Sequence, residues 1–518
     1  MTAQGLQVHP GSYVDSLLLM AATVTMDGLA GVGWAAAVMA SPRGLEDLAA
    51  AGFGGPELAA LGGNDLVLAV KGDDDDAVQQ ALDAGWAAVS TERTAPSAGG
   101  GLAPPTSIAQ AVRRTEGANV AIISVPGAYA ALEAHHALTA GLHVLLFSDG
   151  VPLEEEVELK TRAATLGLLV MGPGAGTAVL GGTGLGFANV LGARAATGAV
   201  GVVAAAGTGA QEVSALLDRW GVPVSQVIGV GGRDLSEQVA GRMAQLSARA
   251  LDADPQTEVV LLVSKPPAAS AAALVLAECR TTRAVAVFLG LDDLEPPEGV
   301  HLSPTLEQGT LAAARLVGVT VPSLVEGFVA RVAAAAATLG PDRRTVRGLF
   351  SGGTLCYEAQ YVLEGLLGPV HSNEPLRKEH GLPAPAGAHV LLDLGAEEHT
   401  RGRPHPMIDL SSRLAALEAL IGDPEVAVVL LDVVLGHGSH EDPAGGLAPV
   451  CRRLTADGGP VVVAHVLGTE GDPQAYSRQR ATLEQAGCVV AESNARAAYA
   501  AAALVRREPE LAASGTGA

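Results

Sequence analysis

Residues 200–212 read VGVVAAAGTGAQE, and residues 347–358 read RGLFSGGTLCYE. Each is an apolar run of strand length that ends in Gly-Thr and continues, through a glutamate four residues on, into a helical pattern. A second landmark follows each: DPQTEVVLL at 254–262 and DPEVAVVLL at 423–431. Two landmarks in the same order define an internal repeat, with copies over 198–340 and 345–505 joined by LGPDRRT at 339–345. Runs of this kind, uniformly apolar rather than alternating, are strands buried on both faces of a parallel sheet. A strand that feeds a glycine turn and then a helix gathers free backbone N–H groups at the positive end of the helix dipole. Gly207, Thr208 and Gly209 in one copy, and Ser351, Gly352, Gly353 and Thr354 in the other, are therefore candidate binders of phosphate or carboxylate. Pseudo-symmetry predicts that the two turns converge on one pocket.

The same strand–helix alternation runs upstream, over 105–197. Strands are predicted at 120–125, 143–148 and 168–171, and helices at 128–140 and 153–166. The strands end in VPG (125–127), SDGVP (148–152) and GPG (172–174), which marks a Rossmann-like unit with its ligand loops at the carboxyl edge. A Pro/Gly/Ser-rich linker, TAPSAGGGLAPPTS at 94–107, sets off an N-terminal α+β domain over 1–95. In that domain apolar runs at 34–39 and 65–70 alternate with helical patterns at 15–25, 44–51 and 74–84. Asp73–Asp76 reads as an acidic helix start, since four adjacent residues cannot converge on one metal ion. Residues 506–518 form a polar tail.

The composition narrows the function. Of 518 residues, 55 are acidic and 32 basic, a net charge of −23 that argues against nucleic acid and anionic membranes as partners. Mean hydropathy of +0.31 excludes global disorder. Only 3% of residues are aromatic, so the cores are aliphatic. Cys279, Cys356, Cys451 and Cys488 follow no disulfide or zinc spacing. Residues 1–15 lack a basic stretch followed by an apolar one, and no window reaches 18 uncharged apolar residues. The expectation is a soluble, cytoplasmic protein.

Other candidate residues sit in loops at strand ends. Gly231, Gly232 and Arg233 follow one strand of the first copy. The equivalent stretch of the second, LGAEEHTRGRPHPMID at 394–409, holds Arg401, Arg403, His405 and Asp409. Arginine forks suit carboxylate or phosphate. Asp432 and His440 lie in DVVLGHGSHED (432–442) and Glu470 in GTEGDP (468–473). His405, His440 and Arg403 are the candidate catalytic residues, because imidazole titrates near neutral pH. Gly231, Gly232, Arg233, Arg401, Asp409, Asp432 and Glu470 are candidate substrate contacts. No metal site is assigned.

The 105–300 region resembles the α subunit of succinyl-CoA synthetase through Val125-Pro126, Ser148–Pro152, Gly172-Pro173, Gly207-Thr208 with Glu212, Gly229–Gly232 and Asp254–Glu258. Almost the whole chain resembles the FdrA family, through TRGRPHPMID (400–409), LDVVLG (431–436) and TEGDPQ (469–474). The resemblance implies a CoA-binding-type Rossmann domain followed by two flavodoxin-like units in one chain. It departs from the synthetase where that family carries its phosphorylated histidine: here the strand at 284–289 continues Gly290-Leu291-Asp292-Asp293. An ATP-grasp domain is also missing. The FdrA resemblance implies one subunit of a carbamoyltransferase of purine and allantoin breakdown, working with two other proteins on oxalurate, phosphate, oxamate and carbamoyl phosphate. No resident cofactor is read, and phosphate and carbamoyl phosphate enter as substrates. Two alternatives stay open: an NDP-forming acyl-CoA synthetase subunit that binds CoA, and a non-catalytic CoA-sensing scaffold. A homo-oligomer is left open.

Overall fold

A computed structural model describes residues 3–14, 16–90, 104–192, 199–291, 294–400 and 404–515. The N-terminal unit runs β1 Ala3–His9, α1 Ser16–Asp27, β2 Val32–Met39, α2 Pro42–Ala50, α3 Pro56–Ala59, β3 Leu66–Gly72 and α4 Asp75–Ser90. Its sheet is antiparallel in the order β1-β3-β2. One apolar cluster joins the sheet to residues of α1 and α4, and a second joins it to Leu45 and Leu48 of α2. Strand β1 was not foreseen. Its sequence is interrupted by Gly5, where a Cβ would collide with Val78 of α4.

Next come α5 Ile108–Arg114, β4 Val120–Ile123, α6 Gly127–Thr139, β5 His143–Leu146, α7 Leu153–Leu166 and β6 Val170–Met171. The three strands are parallel, in the order β4-β5-β6, as a Rossmann-like unit requires. The hairpin β7 Thr177–Leu180 and β8 Thr183–Gly186 leaves this unit and pairs antiparallel with the following sheet.

That sheet is built from β9 Ala199–Ala205, α8 Gly207–Arg219, β10 Val224–Gly229, α9 Arg242–Asp252, β11 Thr257–Ser264, α10 Ala269–Leu276, β12 Arg283–Phe288, β13 Val300–Leu302 and α11 Leu306–Leu316. Helix α12, Phe328–Ala336, leads to the second copy: β14 Thr345–Phe350, α13 Gly353–Leu367, β15 Val370–His371, β16 His389–Asp393, α14 Glu397–Thr400, α15 Ser411–Glu418, β17 Val426–Val434, α16 Pro443–Thr455, β18 Val461–Leu467, α17 Tyr476–Gln485, β19 Val489–Ala491 and α18 Asn494–Arg506.

The strand orders are β13-β12-β11-β9-β10-β7-β8 and β15-β16-β14-β17-β18-β19. Matching β9 with β14, β10 with β16, and β11 to β13 with β17 to β19, both copies share the doubly wound flavodoxin order. The fold class is α/β throughout its two large sheets. Each first strand of a repeat, β9 or β14, sits beside the third, so the chain reverses direction across the sheet there and opens a crevice. The two copies bury one common core, since a single apolar cluster draws Val202, Val263 and Val287 from one sheet and Phe350, Leu430 and Val463 from the other. Among the described residues no helix is long and apolar enough to cross a membrane.

Candidate functional site

The two Gly-Thr turns meet at the interface of the copies. A Cβ built on Gly352 would lie 3.0 Å from Thr208 Oγ1, and one on Gly209 would lie 3.1 Å from Thr354 Cγ2. Only glycines at both positions let two helix N-termini abut at van der Waals distance. Neither helix has a side-chain cap, since Ala206 and Gly352 occupy the cap positions. The first N–H groups of a helix have no acceptor within it. Among the described residues, none accepts from Gly207, Thr208 or Gly209 in α8, nor from Gly353, Thr354 or Leu355 in α13. Gly207 is exposed and Gly353 half-buried, so the donor set reaches the surface at these two residues, while Thr208, Gly209, Thr354 and Leu355 are buried. Two like-signed dipole ends face each other here, an arrangement that calls for negative charge between them.

Two residues that sequence reasoning missed complete the mouth. A Cβ on Gly353 would lie 2.5 Å from Asp393 Oδ2 and 3.3 Å from Lys265 Nζ. Lys265 follows β11 and Asp393 ends β16, so both stand at the carboxyl edges of their sheets. Lys265 forms no ion pair or hydrogen bond among the described residues. Asp393 is only 6% exposed. Its Oδ1 accepts from Gly395 N at 2.9 Å, and Asn373 grips its backbone through bonds of 2.9 Å in each direction. Burial pushes its carboxyl up to about 6, against the opposing pull of Lys265 and of the Gly395 N–H. The signal for Lys265 was present: a lysine directly after an apolar strand, before two prolines.

Several candidate residues have other partners. Asp432 is fully buried beneath the second turn, where it accepts from Ser351 N at 2.8 Å, Ser351 Oγ at 3.0 Å and Gly352 N at 2.7 Å. Arg413 pairs with it from behind at 3.1 Å. Asp432 therefore does not face a substrate, and the Ser351 and Gly352 N–H groups already hold an internal carboxylate. His405 packs against Gly395, with its Nδ1 accepting from Met407 N at 3.3 Å. Burial lowers its pKa to about 4, helped by Arg413 and resisted by Asp432, so at neutral pH the imidazole is uncharged and a weak base. His440 is joined to the same loop by its backbone N–H, 2.8 Å from Met407 O, while its Nδ1 accepts from Asp442 N. Arg233 pairs with Glu156 at 2.8 Å and donates to Val151 O at 2.7 Å, which clamps the Rossmann-like unit to the first copy. Gly231 packs on Gly172 in that same junction, with Gly232 exposed beside it. Asp409 accepts from Ser411 N and Oγ, and Glu470 from Ser477 N and Oγ, so both steady local helix starts. Arg401 and Arg403 lie outside the described residues.

The glutamates of the repeated Gly-Thr-x-x-x-Glu pattern act across the interface. Glu212 of α8 accepts from Asn494 N, the start of α18, at 3.1 Å, and its other oxygen lies 2.7 Å from His465 Nε2. Glu358 of α13 accepts from Leu306 N, the start of α11, at 2.6 Å and from Asn494 Nδ2 at 2.8 Å. Each unit thus caps the start of a helix of the other. Burial favours the protonated Glu212, yet His465, Arg219 and the Asn494 N–H outweigh it and hold the carboxyl below its ordinary range. Glu358 lacks a cation and is pushed up to about 8 by burial.

Residues 349–504 match the family described as CoA-ligase, and residues 1–104 the one described as AllF, heavy metal-associated domain. The N-terminal unit does not suit a soft metal: it has no cysteine, and His9 stacks on Trp86 with centroids 3.6 Å apart. Among the described residues no group of three or more His, Cys, Asp or Glu is placed to hold a metal ion. The chain is 30% identical over 161 residues, 31% of its length and 54% of the relative's, to succinate–CoA ligase [ADP-forming] subunit alpha 2 of Archaeoglobus fulgidus. A dinucleotide-forming acetyl-coenzyme A synthetase of Ca. Korarchaeum cryptofilum aligns with 82% of the chain and 90% of its own at 15% identity, with a TM-score of 0.30. YahF, an uncharacterized protein of Escherichia coli K12, is 37% identical over 502 residues, 94% of this chain and 96% of the relative. With that agreement along nearly its whole length, and with the quoted TRGRPHPMID, LDVVLG and TEGDPQ stretches, the chain belongs to the FdrA family.

Proposed function

We propose that this chain is an enzyme subunit that handles an acyl phosphate at the mouth beside the abutting N-termini of α8 and α13, and that its reaction is carbamoyl transfer: oxalurate and phosphate to oxamate and carbamoyl phosphate. The observation that carries the reading is the abutting pair of uncapped helix N-termini with an unpaired lysine, Lys265, beside them. Three sources of positive potential and no fixed partner for the lysine suit a small polyanion with a phosphoryl group. Each dipole end contributes roughly 0.3–1 kcal/mol to such an anion, more where partly buried. Arg401 and Arg403 are proposed to receive the carboxylate of the second substrate, and His405 to shape the pocket as a neutral ring.

The second reading, an NDP-forming acyl-CoA ligase subunit, is favoured by the CoA-ligase match over 349–504. Against it stand the missing histidine after β12 and the state of the Rossmann-like loops. Gly127 lies so close to Asp149 O and Gly150 that loop 149–150 crosses the start of α6. Helix α7 opens with Glu154, Glu155 and Glu156, which repel phosphate. Arg233 and Lys160, the cations that reach this loop or its helix, are both paired. CoA is therefore expected to bind weakly or not at all, with calorimetric Kd values above about 1 mM, a binding free energy weaker than about −4 kcal/mol.

Reconstitution with its partner subunits tests both readings. Carbamoyl phosphate formed from oxalurate and phosphate, without nucleotide, is the expected result. Thioester formation that needs CoA and a nucleoside triphosphate would replace it with the second reading.

A further inference from the structure

We infer that Asp393 carries the proton in the reaction at this site, accepting it from the attacking phosphate and returning it to the leaving nitrogen. The inference rests on the acyl-phosphate reading above and adds a residue and a step to it. Its basis is geometric. Asp393 is almost fully buried, yet only Oδ1 is held, by Gly395 N. Oδ2 has no hydrogen-bond partner among the described residues and lies over Gly353, the first residue of α13, close to Lys265. Asn373 fixes the backbone beneath it from both sides, so the carboxyl is held by its surroundings before any ligand arrives.

The charged and titratable groups around Asp393 explain why it is suited to the step. Lys265 faces it from the end of β11 and favours the anion; Asp432 from β17 and Glu374 from the loop after β15 oppose it. The Cys356 thiol on α13 is itself raised by burial and by Asp393, so it stays protonated. His405 beyond Gly395 is uncharged at neutral pH. The balance leaves the Asp393 carboxyl near 6, where both protonation states are populated around neutral pH.

The step balances. A phosphate oxygen forms a bond to the ureido carbonyl carbon of oxalurate, and the bond from that carbon to the imide nitrogen breaks. Hydrogen phosphate gives its proton to Asp393 Oδ2, and the protonated carboxyl gives it to the departing nitrogen, which becomes the oxamate amide. Lys265 and the helix N–H groups hold the phosphoryl oxygens throughout. No proton or electron is left over.

Sulfate, which does not titrate near neutrality, is the probe for the full chain. Its affinity is measured by calorimetry from pH 5.5 to 7.5 in the wild type and in Asp393→Asn, which keeps the acceptor for Gly395 N–H. If bound sulfate raises the Asp393 pKa by about one unit, wild-type affinity falls up to about tenfold as pH rises through 6. The variant binds with no such slope. In the reconstituted complex Asp393→Asn lowers kcat about 100-fold or more with little change in KM for phosphate. A wild type without the slope, a variant that keeps it, or a variant with kcat within about threefold of wild type overturns the inference while leaving the acyl-phosphate reading intact. A complex that makes no carbamoyl phosphate, with the slope present and lost in the variant, removes the carbamoyl reading and leaves Asp393 as the site's proton acceptor. A wild type that binds no sulfate removes the site and the inference together.

Discussion

Gly353 is the residue on which the site turns. It has helical backbone geometry, so its glycine identity reflects space rather than φ. Any Cβ there meets Asp393 Oδ2 and Lys265 Nζ. Gly353→Val is expected to weaken phosphate or sulfate binding at least about tenfold, about 1.4 kcal/mol, and to lower the thermal midpoint as well, because Asp393 is held by Gly395 N and Asn373 and only Lys265 Nζ can swing aside. Titration calorimetry beside a melting curve separates the two. The glycines, Thr208 and Thr354 were legible because a strand–Gly-Thr–helix pattern names its own backbone donors. Asp432 was misread for a physical reason: an acid in the apolar run 426–434 looks like a ligand group, whereas its lone pairs are filled by the turn above it. Asp393 was overlooked because its partners come from residues remote in sequence, Lys265 and Asn373.

At the scale of elements, the repeated Gly-Thr-x-x-x-Glu pattern has two tasks. Its start presents backbone donors and its glutamate caps a helix of the opposite unit. The repeat itself could be read from the sequence, but not that the glutamates cross over, since spacing within one segment says nothing about where the other copy packs. Glu358 gives a test with a definite sign. Its folded pKa of about 8 lies above the ordinary carboxylate value, so between those two values the native state binds the extra proton. Stability then falls as pH rises from about 5 to 8. Glu358→Gln, neutral throughout, should flatten that part of the stability–pH curve in denaturant titrations; an unchanged slope would show that Glu358 is ionised in the native state. Strand β1 escaped notice on similar grounds, since a glycine that admits a neighbouring helix looks, in sequence alone, like a strand breaker.

The Rossmann-like unit and the two copies are held together by polar locks. Lys160 of the Rossmann-like unit is fully buried, 2.8 Å from Glu156 and 2.9 Å from Asp234 of the first copy, and donates to Val230 O. Lys160→Met removes the cation, leaving buried Asp234 without a counter-charge and Glu156 with Arg233 alone. The expected loss is about 3–5 kcal/mol, visible as a lower denaturant midpoint. Asn189 and Val190, just after the β7–β8 hairpin, are bound by Asp472 of the second copy at 2.8 Å each. The parallel strands downstream of the N-terminal unit and the repeat were readable from hydrophobic runs and turn residues. The locks were not, because a lysine amid glutamates on a helix looks like any solvated face until a second unit covers it.

The crossed caps also impose a timetable on the nascent chain. The start of α11 finds its acceptor, Glu358, only 52 residues further along. Glu212, by contrast, is made 282 residues before the Asn494 amide that it binds. At about 5–20 residues per second, α8 waits roughly 15–60 s on the ribosome with its carboxylate unmatched and its apolar flank uncovered. During that interval the first copy is a sheet without its counterpart, and the apolar residues of α8 that the second copy later covers face water. A ribosome stalled before α18 emerges should carry a first copy that proteases cut readily, and release of the full chain should abolish that sensitivity.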